Sequence, residues 1–214
     1  DTTGVYKIDK EFLQSLGIDV NSIDPKNIQI YGNGGEMLPF KNADFRYDGL
    51  QENAIYVSGE DDNSFDNNDY ILFYARGPKG YQAESNTNIN CYTDKTYYYI
   101  NVSSGLGKRI QPFVQPTGPV DMTINTYQDY KFHERDDYNI ASLGRRWFGD
   151  RFDIENNKTF TFDFSGIITN EPINLKVYTA VASSSQSSMS VSVNGNNVTT
   201  LSIAAASAPI VANG

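Results

Sequence analysis

Apolar and polar residues alternate most regularly in the last third of the chain. Residues 160–164 read Phe-Thr-Phe-Asp-Phe, and the same period of two recurs over 173–181 and 189–193. Successive side chains of a β-strand point to opposite faces of its sheet, so this alternation predicts strands with one buried face. Asn194-Gly195 then leads into 198–203, and an Asn-Gly pair between two such runs predicts a tight β-hairpin.

The first hundred residues give shorter strand signals and one helix. Aromatic and β-branched clusters bounded by Gly, Asn and Asp predict strands at 5–8, 27–31, 54–57, 70–74 and 97–102. A short helix is predicted over 10–16, with Asp9 as its N-cap and Gly17 as its C-terminal stop. The apolar residues that helical spacing places on one face of it are Phe12, Leu13 and Leu16.

A proline-rich segment separates these two regions. Pro112, Pro116 and Pro119 lie close together, and proline at this density breaks sheet ladders and stiffens an extended connector. We therefore predict a mostly β protein with two domains: a β-rich α+β domain over 1–115 and a jelly-roll-like β-sandwich over 116–214. The strands predicted for the second domain are too few to cover a sandwich core, so we expect that domain to be incomplete, with the chain truncated at its C-terminus.

Composition narrows the class of protein. The 15 Tyr and 12 Phe favour strands, which is typical of an exported β-domain. The net charge of −9 argues against binding to nucleic acid or to anionic lipid, because both require a basic surface. No run of eighteen apolar residues is present, so no helical membrane insertion is expected. The chain begins with Asp1 rather than Met, and we expect a leader to have been removed.

Cysteine chemistry is the first catalytic possibility to weigh. The single cysteine, Cys91, rules out an internal disulfide, and His133 is the only histidine. A thiolate beside an imidazole would make a nucleophile. However, no Gly-rich turn or helix N-terminus surrounds Cys91, which favours a small packing side chain. His133 lies between Lys131 and Glu134, which favours a structural hydrogen bond.

One loop is a candidate calcium site. Residues 61–69 read Asp-Asp-Asn-Ser-Phe-Asp-Asn-Asn-Asp, and calcium prefers six to eight oxygen ligands. The candidate ligands are Asp62, Ser64, Asp66 and Asp69. The spacing does not fit an EF-hand, which has Gly at its sixth position and Glu at its twelfth. The alternative is an Asx-turn loop, in which Asp and Asn accept hydrogen bonds from their own backbone. Calcium is the only cofactor that the sequence suggests.

A second cluster surrounds the only tryptophan, Trp147. Arginines can pair bidentately with carboxylates, and the aromatic residues Trp147 and Phe148 could anchor such pairs. The charged residues are Glu134, Asp136, Asp137, Arg145, Arg146, Asp150 and Arg151, with His133 at the start of the segment. We interpret the cluster as a structural scaffold. The alternative is a sugar-binding platform with Trp147 stacked on a pyranose ring.

Several segments resemble one family. GVYKIDKEFLQSLGIDVNSIDPKNIQIYGNGGEMLP (4–39), LQENAIYVSGEDDNSFDNNDYILFYARGP (50–78), YTDKTYYYIN (92–101), GRRWFGDRFD (144–153) and SSSQSSMSVSVNGN (183–196) are similar to the N-terminal region of the PorU family of type IX secretion sortases of Bacteroidota. These segments cover most of the chain in the expected order. None of them is a catalytic motif.

The resemblance implies a function for a larger protein. Members of the family are gingipain-like cysteine endopeptidases at the cell surface, which cleave C-terminal sorting domains from secreted cargo and attach the cargo to lipopolysaccharide. They dock on PorV, an outer-membrane β-barrel. Their catalytic His and Cys belong to a later caspase-like domain, so the resemblance assigns no catalytic residue here. We therefore expect a non-catalytic fragment that braces the rest of the parent chain and contacts a partner.

Three other functions remain open at this point. A carbohydrate-binding or adhesion module would account for Trp147, the tyrosines and the β-sandwich pattern. A propeptide-like inhibitory domain would account for a β-rich segment in front of a protease. A cysteine hydrolase in its own right would have to use Cys91 and His133, which are the only cysteine and histidine.

Overall fold

The computed structural model describes residues 1–140 and 146–206. The chain divides into two compact units, Asp1–Asn125 and Thr126–Gly214. Strands account for 26% of the residues and helices for 6%, which confirms the prediction of a mostly β protein with one short helix. Within the described ranges, no helix has the length and hydropathy needed to cross a membrane. The predicted domain boundary at 115/116 stays a prediction.

The elements follow one another as short strands with brief helical turns. In chain order they are β1 (Gly4–Asp9), α1 (Lys10–Ser15), a 3-10 helix (Pro25–Asn27), β2 (Ile28–Tyr31), β3 (Glu52–Asn53), β4 (Tyr56–Ser58), a second 3-10 helix (Glu60–Asp62), β5 (Tyr70–Ala75), β6 (Lys79–Gln82), β7 (Thr87–Ile89), β8 (Tyr99–Val102), β9 (Ser187–Val193) and β10 (Asn196–Ile203). All but β9 and β10 belong to the first unit.

Helix α1 begins and ends where the sequence predicts. The carboxylate of Asp9 accepts a hydrogen bond of 3.0 Å from the backbone N–H of Phe12, which satisfies an orphan donor of the first turn. Gly17 has a φ of 82°, the left-handed conformation that ends helices. The predicted apolar face is only partly buried: Leu13 is fully buried, whereas Phe12 and Leu16 are about half exposed. A helix of six residues is too short to bury three positions.

The first unit contains two antiparallel three-stranded sheets. One has the order β1-β5-β4 and the other β3-β2-β8, and a small two-stranded sheet joins β6 to β7. The pairs Ile8↔Ile71 and Tyr6↔Phe73 fix the register of β1 on β5. The alternating residues of both sheets form one core with the helix and loops: Ile8, Leu13, Val20, Ile28, Ile30, Ile55, Val57, Phe65, Ile71, Phe73 and Ala75.

Strand predictions in this unit match the structure with small differences. The strands predicted at 5–8, 27–31, 70–74 and 97–102 are present as β1, β2, β5 and β8. The one predicted at 54–57 is divided, because Ile55 bridges to Arg109 instead of continuing a sheet with its neighbours. The sequence analysis missed β6 and β7, whose Lys-Gly-Tyr-Gln and Thr-Asn-Ile sequences carry no apolar alternation.

In the second unit the hairpin prediction is confirmed. Strands β9 and β10 pair antiparallel, and the turn between them consists of Asn194 and Gly195, with φ values of 49° and 82°. Positive φ at both central residues is the turn geometry that Asn-Gly favours in hairpins. The strands predicted over 160–164 and 173–181 are wrong: these residues lie in no strand, and of them only Val181 takes part in an isolated bridge. A period of two makes a strand only where a second strand pairs with it, so the jelly-roll arrangement stays a prediction.

Candidate functional site

A bridge between two chain segments organises the surroundings of Trp147. Tyr138 and Phe148 exchange two backbone hydrogen bonds of 2.8 Å, which places the segment before the bridge beside the segment after it. Gly149 makes this approach possible, because a Cβ at that position would collide with the side chain of Arg135 and come within 2.8 Å of its carbonyl oxygen. A glycine is the residue that lets two backbones approach this closely.

His133 is held in one orientation by two neighbours. Its Nε2 lies 2.6 Å from Oδ2 of Asp150, and its ring centroid lies 4.4 Å from that of Phe160. We expected adjacent charges such as Glu134 to hold this histidine, but the partner is an aspartate seventeen residues along the chain. A carboxylate on one ring nitrogen fixes the imidazole and its tautomer. The structure therefore places His133 in contact with Asp150 and Phe160, and its structural role stays a prediction.

Among the described residues, two arginines of this region pair with aspartates two positions along the chain. Arg135 pairs with Asp137, and Arg151 Nε lies 2.8 Å from Oδ2 of Asp153. These pairs are half exposed, so each contributes little to stability. The sequence analysis named Asp150 as a possible arginine partner, but the Asp150 carboxylate contacts His133 instead. Arg145 lies outside the described residues.

The aromatic rings near the bridge interact with cations but are not deeply buried. The guanidinium of Arg151 lies 5.9 Å from the ring centroid of Tyr138, and that of Arg146 lies 5.9 Å from the ring of Tyr178. Trp147 is 44% exposed, so its indole is only partly shielded from water. Glu134 is half-buried. These contacts are mostly pairs at the protein surface, and the scaffold interpretation of the cluster stays a prediction.

The Asp- and Asn-rich loop is closed by its own backbone. Oδ1 of Asp62 accepts a hydrogen bond of 2.9 Å from the N–H of Ser64, and Oδ2 of Asp69 accepts one of 2.6 Å from the N–H of Asp66. The hydroxyl of Ser64 donates to Oδ1 of Asp66 over 3.3 Å. Phe65 is buried in the core and fixes the centre of the loop. These bonds are the Asx-turn geometry, the alternative to calcium.

No metal centre is assembled in the parts of the chain that the structure describes. Within 1–140 and 146–206, no three or more His, Cys, Asp or Glu side chains group together in a way that could hold a metal ion. The calcium site at Asp62, Ser64, Asp66 and Asp69 therefore stays a prediction, and the loop geometry gives it no support. Those carboxylates point to backbone donors that already occupy one oxygen each of Asp62 and Asp69.

Cys91 lies in the first unit and His133 in the second. The thiol is exposed, in a turn after β7 that Asn90 closes by accepting a hydrogen bond of 2.9 Å from the N–H of Tyr92. The residues around Cys91 form no helix, so no helix N-terminus stabilises a thiolate there. Each of the two candidate catalytic residues thus has a local setting of its own.

The sequence analysis missed the most extensively bonded side chain of the first unit. Arg109 donates to the carbonyl oxygens of Pro25 and Lys26, both at 2.9 Å, and its Nε lies 2.8 Å from Oε2 of Glu60. It also donates to the carbonyl of Ile28 over 3.3 Å. The guanidinium therefore satisfies carbonyls at the end of the first 3-10 helix. The only nearby residue that could have indicated this close packing is Gly107, because a Cβ at that position would collide with the carbonyl oxygen of Ile28.

Comparison of the chain with models of protein families, with curated proteins and with solved structures finds no match.

Proposed function

We propose that this chain is a non-catalytic β-rich module of an exported, cell-surface protein of the type IX sortase lineage, and that it braces the parent protease and docks a partner. The five segments that resemble the PorU family support the lineage. The observation that carries the non-catalytic role is the local setting of the two residues: Cys91 lies in an exposed turn with no helix N-terminus, and Nε2 of His133 contacts Asp150.

The His133 environment supports bracing. The Nε2 of His133 meets Asp150 at 2.6 Å, while its ring packs on Phe160. The side chain of His133 therefore joins three separate segments of the second unit, which is a structural role.

The two sheets of the first unit have outer faces of different character, which supports docking. On the sheet β3-β2-β8, the side-chain oxygen of Gln29 accepts hydrogen bonds from Tyr31, Asn101 and Ser103. This face is polar and satisfied within itself. On the sheet β1-β5-β4, Tyr56 and Tyr70 contact each other at 6.3 Å between centroids.

We define the tyrosine face as the outer residues of the sheet β1-β5-β4. Cross-strand pairing places its members side by side, and they are Val5, Lys7, Asp9, Tyr56, Ser58, Tyr70, Leu72 and Tyr74. Exposed tyrosine with little charge is typical of protein interfaces. In the sortase lineage the partner would be the outer-membrane β-barrel PorV, and the rest of the parent chain would be the second contact.

Docking on the tyrosine face can be tested with purified 1–214 and a purified PorV-type β-barrel in detergent. We expect a complex by analytical ultracentrifugation that Tyr74→Ser weakens about tenfold, because truncating an interface tyrosine removes a central contact. Tyr99→Ser is the matched control: both rings are 55% exposed, but Tyr99 lies on β8. An equal loss in both variants would refute docking through this face.

Catalysis is tested separately. We expect 1–214 to cleave no peptide in a way that alkylation of Cys91 abolishes. Cleavage that depends on this thiol would overturn the non-catalytic role, whatever the result of the docking experiment.

A further inference from the structure

A groove in the second unit lies between two extended segments, 130–133 and 159–163. Its volume is about 740 Å³, which lies within the range of about 300–1,000 Å³ typical of ligand sites. Neither wall belongs to a strand. His133 and Phe160, whose rings are in contact, are among the residues that line the groove.

Aromatic rings and polar groups alternate along both walls. Phe160 and Phe162 are 42% and 40% exposed, and Thr161 and Asp163 are interleaved with them. On the opposite wall, Tyr130 and Phe132 are stacked with centroids 6.3 Å apart, and Lys131 lies between them. The groove therefore presents ring faces together with hydroxyl, carboxylate and ammonium groups.

This combination suits a carbohydrate. A pyranose has apolar C–H faces that pack on aromatic rings, and an equatorial rim of hydroxyls that both donate and accept hydrogen bonds. The threonine hydroxyl and the Asp163 carboxylate can accept from sugar hydroxyls, and Lys131 can donate to them. Half-exposed phenylalanines have no hydrogen-bonding groups to hydrate, so covering them is favourable without a polar cost.

One end of the groove is already rigid. Asp150 fixes His133, and His133 packs on Phe160, so the two walls are joined there before any ligand binds. A wall that is held in place loses less conformational entropy on binding. The contact between His133 and Asp150 therefore also supports the ring of Phe160, through the ring of His133.

A peptide fits the groove less well. Strand addition requires the edge of an existing sheet, whose ladder the incoming peptide extends. Both walls lie outside the strands that the structure describes, and the side chains facing the groove are mixed in polarity. Ring stacking with hydroxyl recognition needs no such ladder.

We propose that the groove between 130–133 and 159–163 binds a soluble carbohydrate chain, with Phe160 and Phe162 as the stacking surface. This site lies beyond the docking role and does not depend on it. It also differs from a platform on Trp147, which does not line the groove.

The test uses purified 1–214 in native gels that contain a β-glucan, a xylan, an α-mannan or a polyuronate, followed by a glycan array. We expect at least one glycan to retard the protein, and Phe160→Ala and Phe162→Ala each to weaken that binding about tenfold. Tyr127→Ala is the matched control, since its ring is exposed in the same unit outside the groove. Circular dichroism checks that each variant is folded.

Three outcomes would overturn the proposal. The first is the absence of binding to every glycan in the gels and on the array. The second is binding that Trp147→Ala abolishes while both phenylalanine variants retain it, which would place the site on the indole. The third is binding of extended peptides on a peptide array, lost in Phe162→Ala, with no glycan bound, which would assign the groove to strand addition.

Discussion

Arg109 Nε lies 2.8 Å from Oε2 of Glu60, although 49 residues separate them in sequence. Both side chains are largely buried, with 18% and 23% of their surfaces exposed. The same guanidinium donates to the carbonyls of Pro25 and Lys26. Arg109 therefore fastens the segment after β8 to both 3-10 helices of the first unit. It is the last strongly bonded side chain before the proline-rich connector.

Replacing Arg109 with Ala should destabilise the first unit by about 2–3 kcal/mol, because the shielded carboxylate of Glu60 loses its cationic partner and the carbonyls of Pro25, Lys26 and Ile28 each lose one donor. Urea unfolding followed by tyrosine fluorescence measures this loss. Arg76→Ala is the control, since the pair of Arg76 with Glu36 is more than half exposed and should change stability by less than about 1 kcal/mol. Equal losses in the two variants would contradict this role of Arg109.

Gly149→Ala should disrupt the bridge between Tyr138 and Phe148. The new methyl would be forced against Arg135, and overpacking of this kind costs about 1–3 kcal/mol. Fluorescence of Trp147, two residues away, reports unfolding of this region. Gly118→Ala serves as the control, because nothing lies within 4 Å of a Cβ there. If the two variants have the same unfolding midpoint, the close approach at Gly149 does not contribute to stability.

Removal of divalent cations should leave the melting temperature of 1–214 unchanged. The oxygens of Asp62 and Asp69 already accept backbone hydrogen bonds, so the loop is held without an ion. A ligand that binds only the folded state raises stability in proportion to the logarithm of its concentration. Calorimetry with a chelator and with millimolar calcium measures this directly. A rise in melting temperature with calcium, lost in Asp66→Asn, would restore the calcium prediction.

Chymotrypsin should cut the connector before it cuts either unit. Residues 112–128 make no hydrogen bond within the described chain, and Phe113, Met122 and Tyr127 are strongly exposed there. Proteolysis concentrates in such segments. Mass spectrometry of a time course should show a stable fragment that begins at Asp1 and ends within the connector. Cleavage first inside β5 would contradict this, and the end of the stable fragment tests the predicted boundary at 115/116.

The local sequence was sufficient to predict those features of the fold that depend on contacts within a few residues. Asp9 caps α1 because a carboxylate at that position reaches the N–H three residues on. Asn194 and Gly195 form the hairpin turn because both tolerate positive φ. The alternation in β5 placed Ile71 and Phe73 in the core, since strand periodicity fixes which side chains share a face.

Long-range pairing escaped the sequence analysis. Nothing near His133 identifies Asp150 as its partner, and several carboxylates, Glu134, Asp136 and Asp137 among them, lie closer in sequence. Phe160 and Phe162 alternate as a strand would, but they line a groove because no strand pairs beside them. A period of two in the sequence indicates which residues share a face. Whether that face belongs to a sheet depends on a second strand that pairs with it.

By itself, the sequence determined the mostly β class, the ends of α1, the hairpin turn and the core face of β5, because each depends on contacts over a few residues or on a simple period. Only the tertiary structure decided that Arg109 meets Glu60 and that His133 meets Asp150. These contacts form only when distant segments of the chain pack together. The free energy of that packing is distributed over the whole core.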